Sequence, residues 1–182
     1  MSKATVYTIG HSTHDIDEFL AMLKEQHVTV LVDVRRLPGS NRYPQYNQDE
    51  LQSALADAGI DYRWMQSLTG RRPVSRTVPF ETNAWWQNRS FHNYADYALG
   101  EDFNQGLGEL AELSKEQIPA VMCSEAVWWR CHRRIIADHL LVRKFPVHHI
   151  MGPGEVKDAE LSSGARIEGR EPEVTYPADA AE

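Results

Sequence analysis

Short apolar runs alternate with amphipathic segments along most of the chain. Five runs have the length and composition of buried strands, namely residues 6–9, 28–34, 60–64, 118–122 and 147–150. Between them apolar residues recur at helical spacing, as they do from Ile16 to Leu23. Strands separated by helices indicate a parallel sheet with right-handed crossovers. The pattern therefore predicts a doubly wound, Rossmann-like α/β fold, with a mainly parallel sheet and helices on both faces.

One domain accounts for most of the chain. The 182 residues, 42% of them hydrophobic, are enough to bury one core without disulfide bonds. Gly152-Pro153-Gly154 marks the end of that core, so we predict a single α/β domain at 1–152 and an acidic, loosely attached tail at 153–182. The segment from Glu155 to Glu182 has eight acidic and three basic residues, which is most of the net charge of −7.

We expect a cytoplasmic location and no membrane partner. No stretch approaches the apolar length of a membrane span, and the first residues lack the apolar region of a signal peptide. The chain has two cysteines, Cys123 and Cys131. In a reducing compartment such residues act as thiols, ligands or nucleophiles rather than as a structural bridge.

The segment from Val121 to Ile136 concentrates the reactive side chains at a strand-to-helix turn. It contains both cysteines, an acid, a histidine and several arginines. Unpaired backbone N–H groups and the macrodipole at a helix start favour bound anions and lower the pKa of a thiol. We therefore predict Cys131, at the helix start, as the reactive thiol, alkylated faster than Cys123.

Loops that leave the carboxyl ends of parallel strands emerge along one edge of the sheet. Polar residues follow four of the predicted strands, so we expect them to converge. The residues expected to line one concavity are His11, Asp33, Glu125, Cys131 and Arg133. In this hypothesis Cys131 is a nucleophile, His11 carries protons, and Glu125 orients a histidine or acts as a base, with Asp33 as a further catalytic candidate.

A second group of residues is suited to binding an anionic ligand. Arginine matches planar carboxylates and phosphates, and aromatic rings beside arginine can stack on nucleobases. The candidates are Ser12, Arg35, Arg42, Arg71, Cys123, Trp128, His132 and Arg133. An anionic small molecule or a nucleotide is the expected ligand. Single-stranded nucleic acid is easier to accommodate on this acidic chain than long duplex DNA.

Several sequence blocks resemble the family catalogued as domain of unknown function 488. The blocks are Thr8–Ser12, Val32–Arg35 with Pro38 and Ser40, Leu68–Arg72, Met122–Glu125 and Cys131–Arg133. The resemblance spans roughly Thr5 to Ile150. It implies an α/β sandwich found mainly in prokaryotes, without a settled activity. The chain departs from many relatives where Asn41 separates Ser40 from Arg42, and where Thr69 precedes Gly70.

The sequence favours an enzyme that acts on an anionic substrate, and it leaves open whether the protein is catalytic. One alternative is a non-catalytic module that binds nucleic acid or an anionic ligand. Another is a metal or redox sensor, in which Cys123, Cys131 and a histidine bind zinc or the two cysteines form a reversible disulfide. We assign no cofactor and no metal ligand, and the substrate and oligomeric state stay open.

Overall fold

A six-stranded sheet forms the centre of the fold in the computed structural model, which describes residues 4–39, 42–169 and 173–178. Its strands are β1 (Val6–Gly10), β2 (Val30–Asp33), β3 (Asp61–Trp64), β4 (Pro119–Cys123), β5 (Val147–Gly152) and β6 (Glu155–Asp158). Their order is β3-β2-β4-β1-β5-β6, and every pair except β5–β6 is parallel. The predicted α/β class and mainly parallel sheet are confirmed.

The strand order differs from that of a Rossmann fold. In the Rossmann order 3-2-1-4-5-6 the first two strands are neighbours. Here β4 lies between β1 and β2 and pairs with both. The Rossmann-like detail of the prediction is therefore not confirmed. The strands are similar short apolar runs, so the hydrophobic pattern could not specify which of them pair.

Helices cover both faces of the sheet. They are α1 (Ile16–Glu25), α2 (Gln48–Asp57), α3 (Arg89–Tyr97), α4 (Glu101–Leu113) and α5 (Arg133–Val142), with short 3-10 helices at Pro44–Tyr46, Gln66–Leu68, Phe80–Asn83 and Trp128–Arg130. Side chains from α1 and α2 pack with Leu31 and Met122, whereas those from α3, α4 and α5 pack with Val32 and Cys123. Because successive strand residues point to opposite faces, these two cores lie on opposite sides of the sheet.

The segment after the core is attached more closely than its composition suggests. Strand β6 extends the sheet, and the hairpin of β7 (Arg166–Glu168) and β8 (Glu173–Thr175) follows it. Val174 and Tyr176 are fully buried, and the Tyr176 hydroxyl donates a 2.7 Å hydrogen bond to the Asp138 carboxylate on α5. Two apolar anchors and one hydrogen bond therefore hold these described residues against the core, although the segment is acidic in composition. The division into a domain at 1–152 and a tail at 153–182 stays a prediction.

None of the helices in the described ranges has both the length and the apolar character needed to cross a lipid bilayer.

Candidate functional site

The loops that follow β1 and β4 run side by side at the carboxyl edge of the sheet. Gly10 pairs with Cys123 at the strand ends, and the next two residues continue this contact. The His11 N–H donates to the Cys123 carbonyl and the Ser12 N–H donates to the Ser124 carbonyl, both at 3.0 Å. The predicted convergence of these two loops at one edge is therefore observed.

Gly10 makes the contact between these loops close. A Cβ atom at this position would lie 1.6 Å from the Glu125 carbonyl oxygen, so only glycine fits beneath the β4–α5 loop. Gly70 has a similar role in the loop after β3, where a Cβ atom would lie 2.7 Å from Nδ1 of His132. Sequence blocks that are far apart in the chain therefore pack directly against each other.

The polar side chains at this edge form two clusters rather than one concavity. The aspartate cluster consists of His11, Asp33, Arg35, Tyr46 and Tyr62, and Tyr46 belongs to the core beneath α1 and α2. The cysteine cluster consists of Cys123, Cys131, His132 and Arg133, and both cysteines belong to the core beneath α5. His11 and Cys131 therefore share an edge of the sheet but pack on opposite faces.

Asp33 and Arg35 form a buried ion pair. The Arg35 guanidinium donates to both Asp33 oxygens, at 3.0 Å from Nε and 2.8 Å from Nη2. The Tyr62 hydroxyl donates a 2.6 Å hydrogen bond to the same carboxylate. The remaining guanidinium nitrogen, Nη1, donates to the Tyr46 carbonyl at 2.8 Å. Each guanidinium nitrogen and each carboxylate oxygen thus has a partner, so the geometry favours a structural role over the predicted catalytic and ligand-binding ones.

His11 is held as a neutral ring in the aspartate cluster. It stacks on Tyr46 with ring centroids 4.2 Å apart, and Nδ1 lies 3.0 Å from the Ser12 carbonyl oxygen. Burial lowers the pKa of His11 to about 4, against the opposing effect of the Ser12 hydrogen bond. A neutral ring on the other face of the sheet is poorly placed to serve Cys131 as a proton carrier.

Arg133 is the centre of the cysteine cluster and is completely buried. Its Nη2 atom donates to the carbonyls of Glu125 at 3.0 Å and Ala126 at 3.1 Å, and Nη1 lies 3.5 Å from Oγ1 of Thr8. Within the described ranges it has no carboxylate partner, and its Nε atom makes no hydrogen bond. A buried cation is thus offset by neutral acceptors alone, which is unusual because burying an unpaired charge is costly.

The two cysteines are free thiols in the same core, and their acidities differ. Burial raises the pKa of Cys123, but a hydrogen bond from the Cys131 thiol and the charge of Arg133 outweigh it and lower that pKa below its ordinary value. Burial and the same hydrogen bond raise the pKa of Cys131 well above its ordinary value. These directions are opposite to the expected order of acidity.

The position of Cys131 explains this reversal. Helix α5 begins at Arg133, and the Arg133 N–H approaches the Cys131 sulfur at 3.4 Å. Cys131 is only 5% exposed, so the cost of removing its thiolate from water exceeds the stabilisation that the N–H groups at the helix start provide. Its sulfur also lies 3.6 Å from Nδ1 of His132, whose pKa is lowered by burial to about 4. His132 is therefore a neutral ring beside a protonated thiol.

The other predicted residues are spread around these clusters. Glu125 presents its side chain to solvent and contributes its carbonyl to Arg133. Trp128 stacks on His149, with ring centroids 4.8 Å apart and planes 6° from parallel. Ser12 is partly exposed, and Arg42 and Arg71 are exposed. The part of the second block at Ser40 and Asn41 lies outside the described residues.

Sequence reasoning missed three residues near the site. Thr8 and His149 are buried on β1 and β5, with 2.5 Å between Oγ1 and Nδ1, and they link Arg133 to Trp128. Polar residues inside otherwise apolar strands were the available signal. Arg36 is exposed and donates a 2.6 Å hydrogen bond to the Arg71 carbonyl, which joins the loops after β2 and β3.

Within the ranges that the structure describes, no three histidine, cysteine or acidic side chains converge in an arrangement suited to a metal ion. The zinc interpretation of Cys123, Cys131 and a histidine gains no support from this geometry.

Fold and site together define an α/β protein with a buried thiol pair and a buried arginine at the carboxyl edge of its sheet. The family model described as Domain of unknown function DUF488 matches residues 15–140, and the chain belongs to this family. The match includes the whole cysteine cluster and ends before β5; His11 and Ser12 precede it. Comparison with curated proteins gave no match. Comparison with solved structures gave none either.

Proposed function

We propose that this protein is a thiol-dependent enzyme that acts on an anionic substrate, with Cys123 rather than Cys131 as the reacting thiol. The observation that carries the proposal is the position of Cys123 in one core with Cys131 and beside the fully buried Arg133. The Cys123 sulfur lies 3.7 Å from the Glu125 carbonyl oxygen, to which Arg133 also donates, and the Cys131 thiol and the charge of Arg133 lower the pKa of Cys123. A thiolate is the form of cysteine that attacks substrates.

The buried guanidinium supports an anionic Cys123. Arginine does not lose its proton in proteins, so Arg133 is charged whatever its surroundings. Its guanidinium contacts carbonyl and hydroxyl oxygens, and Nε donates to none of the described residues. A thiolate at Cys123 would supply the negative charge that these neutral acceptors do not. Arg133 is then a positioning residue, which also fixes the loop above the thiol through Glu125 and Ala126.

Access to Cys123 is through the β4–α5 loop. Cys123 is 4% exposed, whereas the residues that follow it, Ser124, Glu125 and Ala126, are exposed. A substrate that reaches the sulfur must therefore displace this segment, whose Glu125 carbonyl oxygen lies 3.7 Å from it. The charge of Glu125 acts on the Cys123 thiol, so Glu125 is our candidate for proton transfer at the entrance.

Exposed arginines at the same edge support an anionic substrate. Arg36, Arg42 and Arg71 lie on the loops after β2 and β3, and within the described residues none forms an ion pair with a carboxylate. Trp129 in the β4–α5 loop is 44% exposed and offers a face for stacking. This combination suits phosphorylated or nucleotide-like molecules.

A substrate screen with matched variants tests the proposal. Nucleotides, sugar phosphates and short single-stranded oligonucleotides are assayed for both binding and conversion. We expect Cys123→Ser to abolish conversion with affinity retained within a few fold, and Arg71→Ala to raise KM. Lys24→Ala, at the opposite edge of the sheet, is the charge-loss control and should change neither. Conversion that survives Cys123→Ser contradicts the proposal, and tight binding without any conversion favours the non-catalytic module.

A further inference from the structure

We propose that Cys123 and Cys131 form a reversible disulfide when the protein meets a hydroperoxide, and that this modification switches off the site. The chain has only these two cysteines. They stand at the two ends of the β4–α5 loop and belong to one core. Arg133 joins them, because its N–H donates to the Cys131 sulfur at 3.4 Å and its Nη2 donates to the Glu125 carbonyl, which lies 3.7 Å from the Cys123 sulfur. The inference rests on the proposed function, because it takes Cys123 to be the reacting thiol.

The chemistry needs an oxidant and two steps. The Cys123 thiolate attacks the outer oxygen of a hydroperoxide, and the O–O bond breaks. The other oxygen leaves as an alkoxide or hydroxide, which takes up a proton to give an alcohol or water. Cys123 becomes a sulfenic acid. The Cys131 sulfur then attacks the Cys123 sulfur, the S–O bond breaks, and hydroxide leaves with the Cys131 proton as a second product water. The hydroperoxide is reduced by two electrons, and the two thiols supply them.

The surroundings assign a different part to each sulfur. Cys123 is the acidic member of the pair and faces the exposed loop, so it is the sulfur that an oxidant meets first. Cys131 stays protonated until it attacks, and Nδ1 of the neutral His132 is 3.6 Å from its sulfur. His132 can accept that proton and pass it to the leaving hydroxide. The sulfur that resolves the sulfenic acid is thus already beside it.

The disulfide would have two consequences for the site. It consumes the thiolate, so any conversion that depends on Cys123 stops. It also removes the negative charge that offsets Arg133, whose hydrogen bonds to Glu125 and Ala126 hold the loop. Trp128 lies in this loop, so its fluorescence should change on oxidation and return on reduction.

The sequence provides a direct assay on the full-length wild-type protein. Trypsin cleaves after Lys115, Arg130 and Arg133, so Cys123 and Cys131 fall in different peptides, residues 116–130 and 131–133. The protein is treated with hydrogen peroxide, blocked with iodoacetamide and digested without reduction. We expect these two peptides linked, or an uncleaved 116–133 peptide two hydrogen atoms lighter, with the protein monomeric on a non-reducing gel. Dithiothreitol should restore both free thiols.

Variants and a parallel measurement separate this inference from the proposed function. Cys131→Ser should give no linked peptide, and its Cys123 should proceed to sulfinic acid; far-ultraviolet circular dichroism checks that it folds. The alkylation rates of the two cysteines in reduced wild-type protein test the proposed function. Rapid alkylation of Cys123 with no linked peptide overturns the disulfide alone. A linked peptide in a protein whose Cys123 reacts no faster than Cys131 supports the disulfide and contradicts the proposed function.

Discussion

At the scale of single residues, Gly10 has the most sharply defined requirement. A Cβ atom there would overlap the backbone carbonyl of Glu125, and backbone cannot move aside as a flexible side chain can. We expect Gly10→Ala to lower the free energy of unfolding by about 3 kcal/mol or more, because the core must be overpacked or the loop lifted. The measurement is urea denaturation followed by circular dichroism.

Gly152→Ala is the matched control, because Gly152 also ends a strand of the same sheet. The added Cβ atom would meet its nearest atom, a Glu155 carboxylate oxygen, at 3.4 Å, an ordinary contact. Its effect should stay below about 1 kcal/mol. Equal effects of the two substitutions would contradict the close approach at Gly10.

The residue scale also shows where sequence reasoning was limited. The sequence predicted that Cys131 lies near a helix start, as observed. It also predicted a low pKa for this thiol, but burial of the side chain raises that pKa. Burial of a side chain between α5 and the sheet depends on tertiary packing. The roles of Asp33 and Arg35 also depend on tertiary packing, because the two side chains pair with each other in the folded protein. The sequence therefore indicated which loops meet at this edge better than it indicated how their side chains interact.

At the scale of elements, helix α4 contains two glycines with opposite surroundings. A Cβ atom at Gly106 would lie 2.1 Å from Oγ of Ser67, whereas one at Gly108 would meet nothing within 4 Å. We expect Gly108→Ala to raise the free energy of unfolding by about 0.5–1 kcal/mol, because alanine is the better helix former. Gly106→Ala should lower it by about 1–3 kcal/mol through overpacking against the Gln66–Leu68 turn.

Thermal or urea unfolding of the two variants side by side checks this prediction, and each serves as the control for the other. A stabilising Gly106→Ala would show that α4 does not pack closely on that turn. A destabilising Gly108→Ala would show that its face is covered.

Helices and strands with a sustained hydrophobic pattern were predicted well. Elements whose formation depends on contacts with distant parts of the chain were predicted poorly. The five parallel strands and the crossover helices followed from alternating apolar runs. Strand β6 and the β7–β8 hairpin did not, because the segment is short, polar and held by Val174 and Tyr176 against elements far away in the chain. The place of β4 between β1 and β2 likewise depends on pairing energies that a local pattern does not contain.

At the scale of the whole molecule, buried neutral histidines predict an acid-sensitive fold. Burial lowers the pKa of four of them, to about 4 for His11 and His132 and about 3 for His139 and His149. The unfolded chain takes up protons below about pH 6.5 and the folded chain does not. The unfolded state therefore binds more protons in this range, and stability must fall as the pH falls.

We expect full stability above about pH 6.5 and a progressive loss from there to about pH 4, by up to about 1.4 kcal/mol per pH unit for each histidine. The raised pKa values of the buried Asp96 and Asp138 oppose part of this loss, since burial favours their protonated forms in the folded state. Urea denaturation at a series of pH values gives the slope. A free energy of unfolding that is constant between pH 7 and 4.5 would contradict this prediction.

The most direct test of a stabilised thiolate at Cys123 is a measurement of the pKa of that thiol. In Cys131→Ser the serine hydroxyl keeps a hydrogen-bond donor at that position, and Cys123 becomes the only thiol, so the ultraviolet absorbance of its thiolate can be titrated alone. We predict a midpoint below the value of about 8.5 of a free cysteine. Adding Arg133→Met should raise the midpoint above that value, whereas Arg134→Met, the neighbouring charge-loss control, should leave it within a few tenths of a unit. A midpoint at or above about 8.5 that Arg133→Met does not change would contradict the thiolate at Cys123.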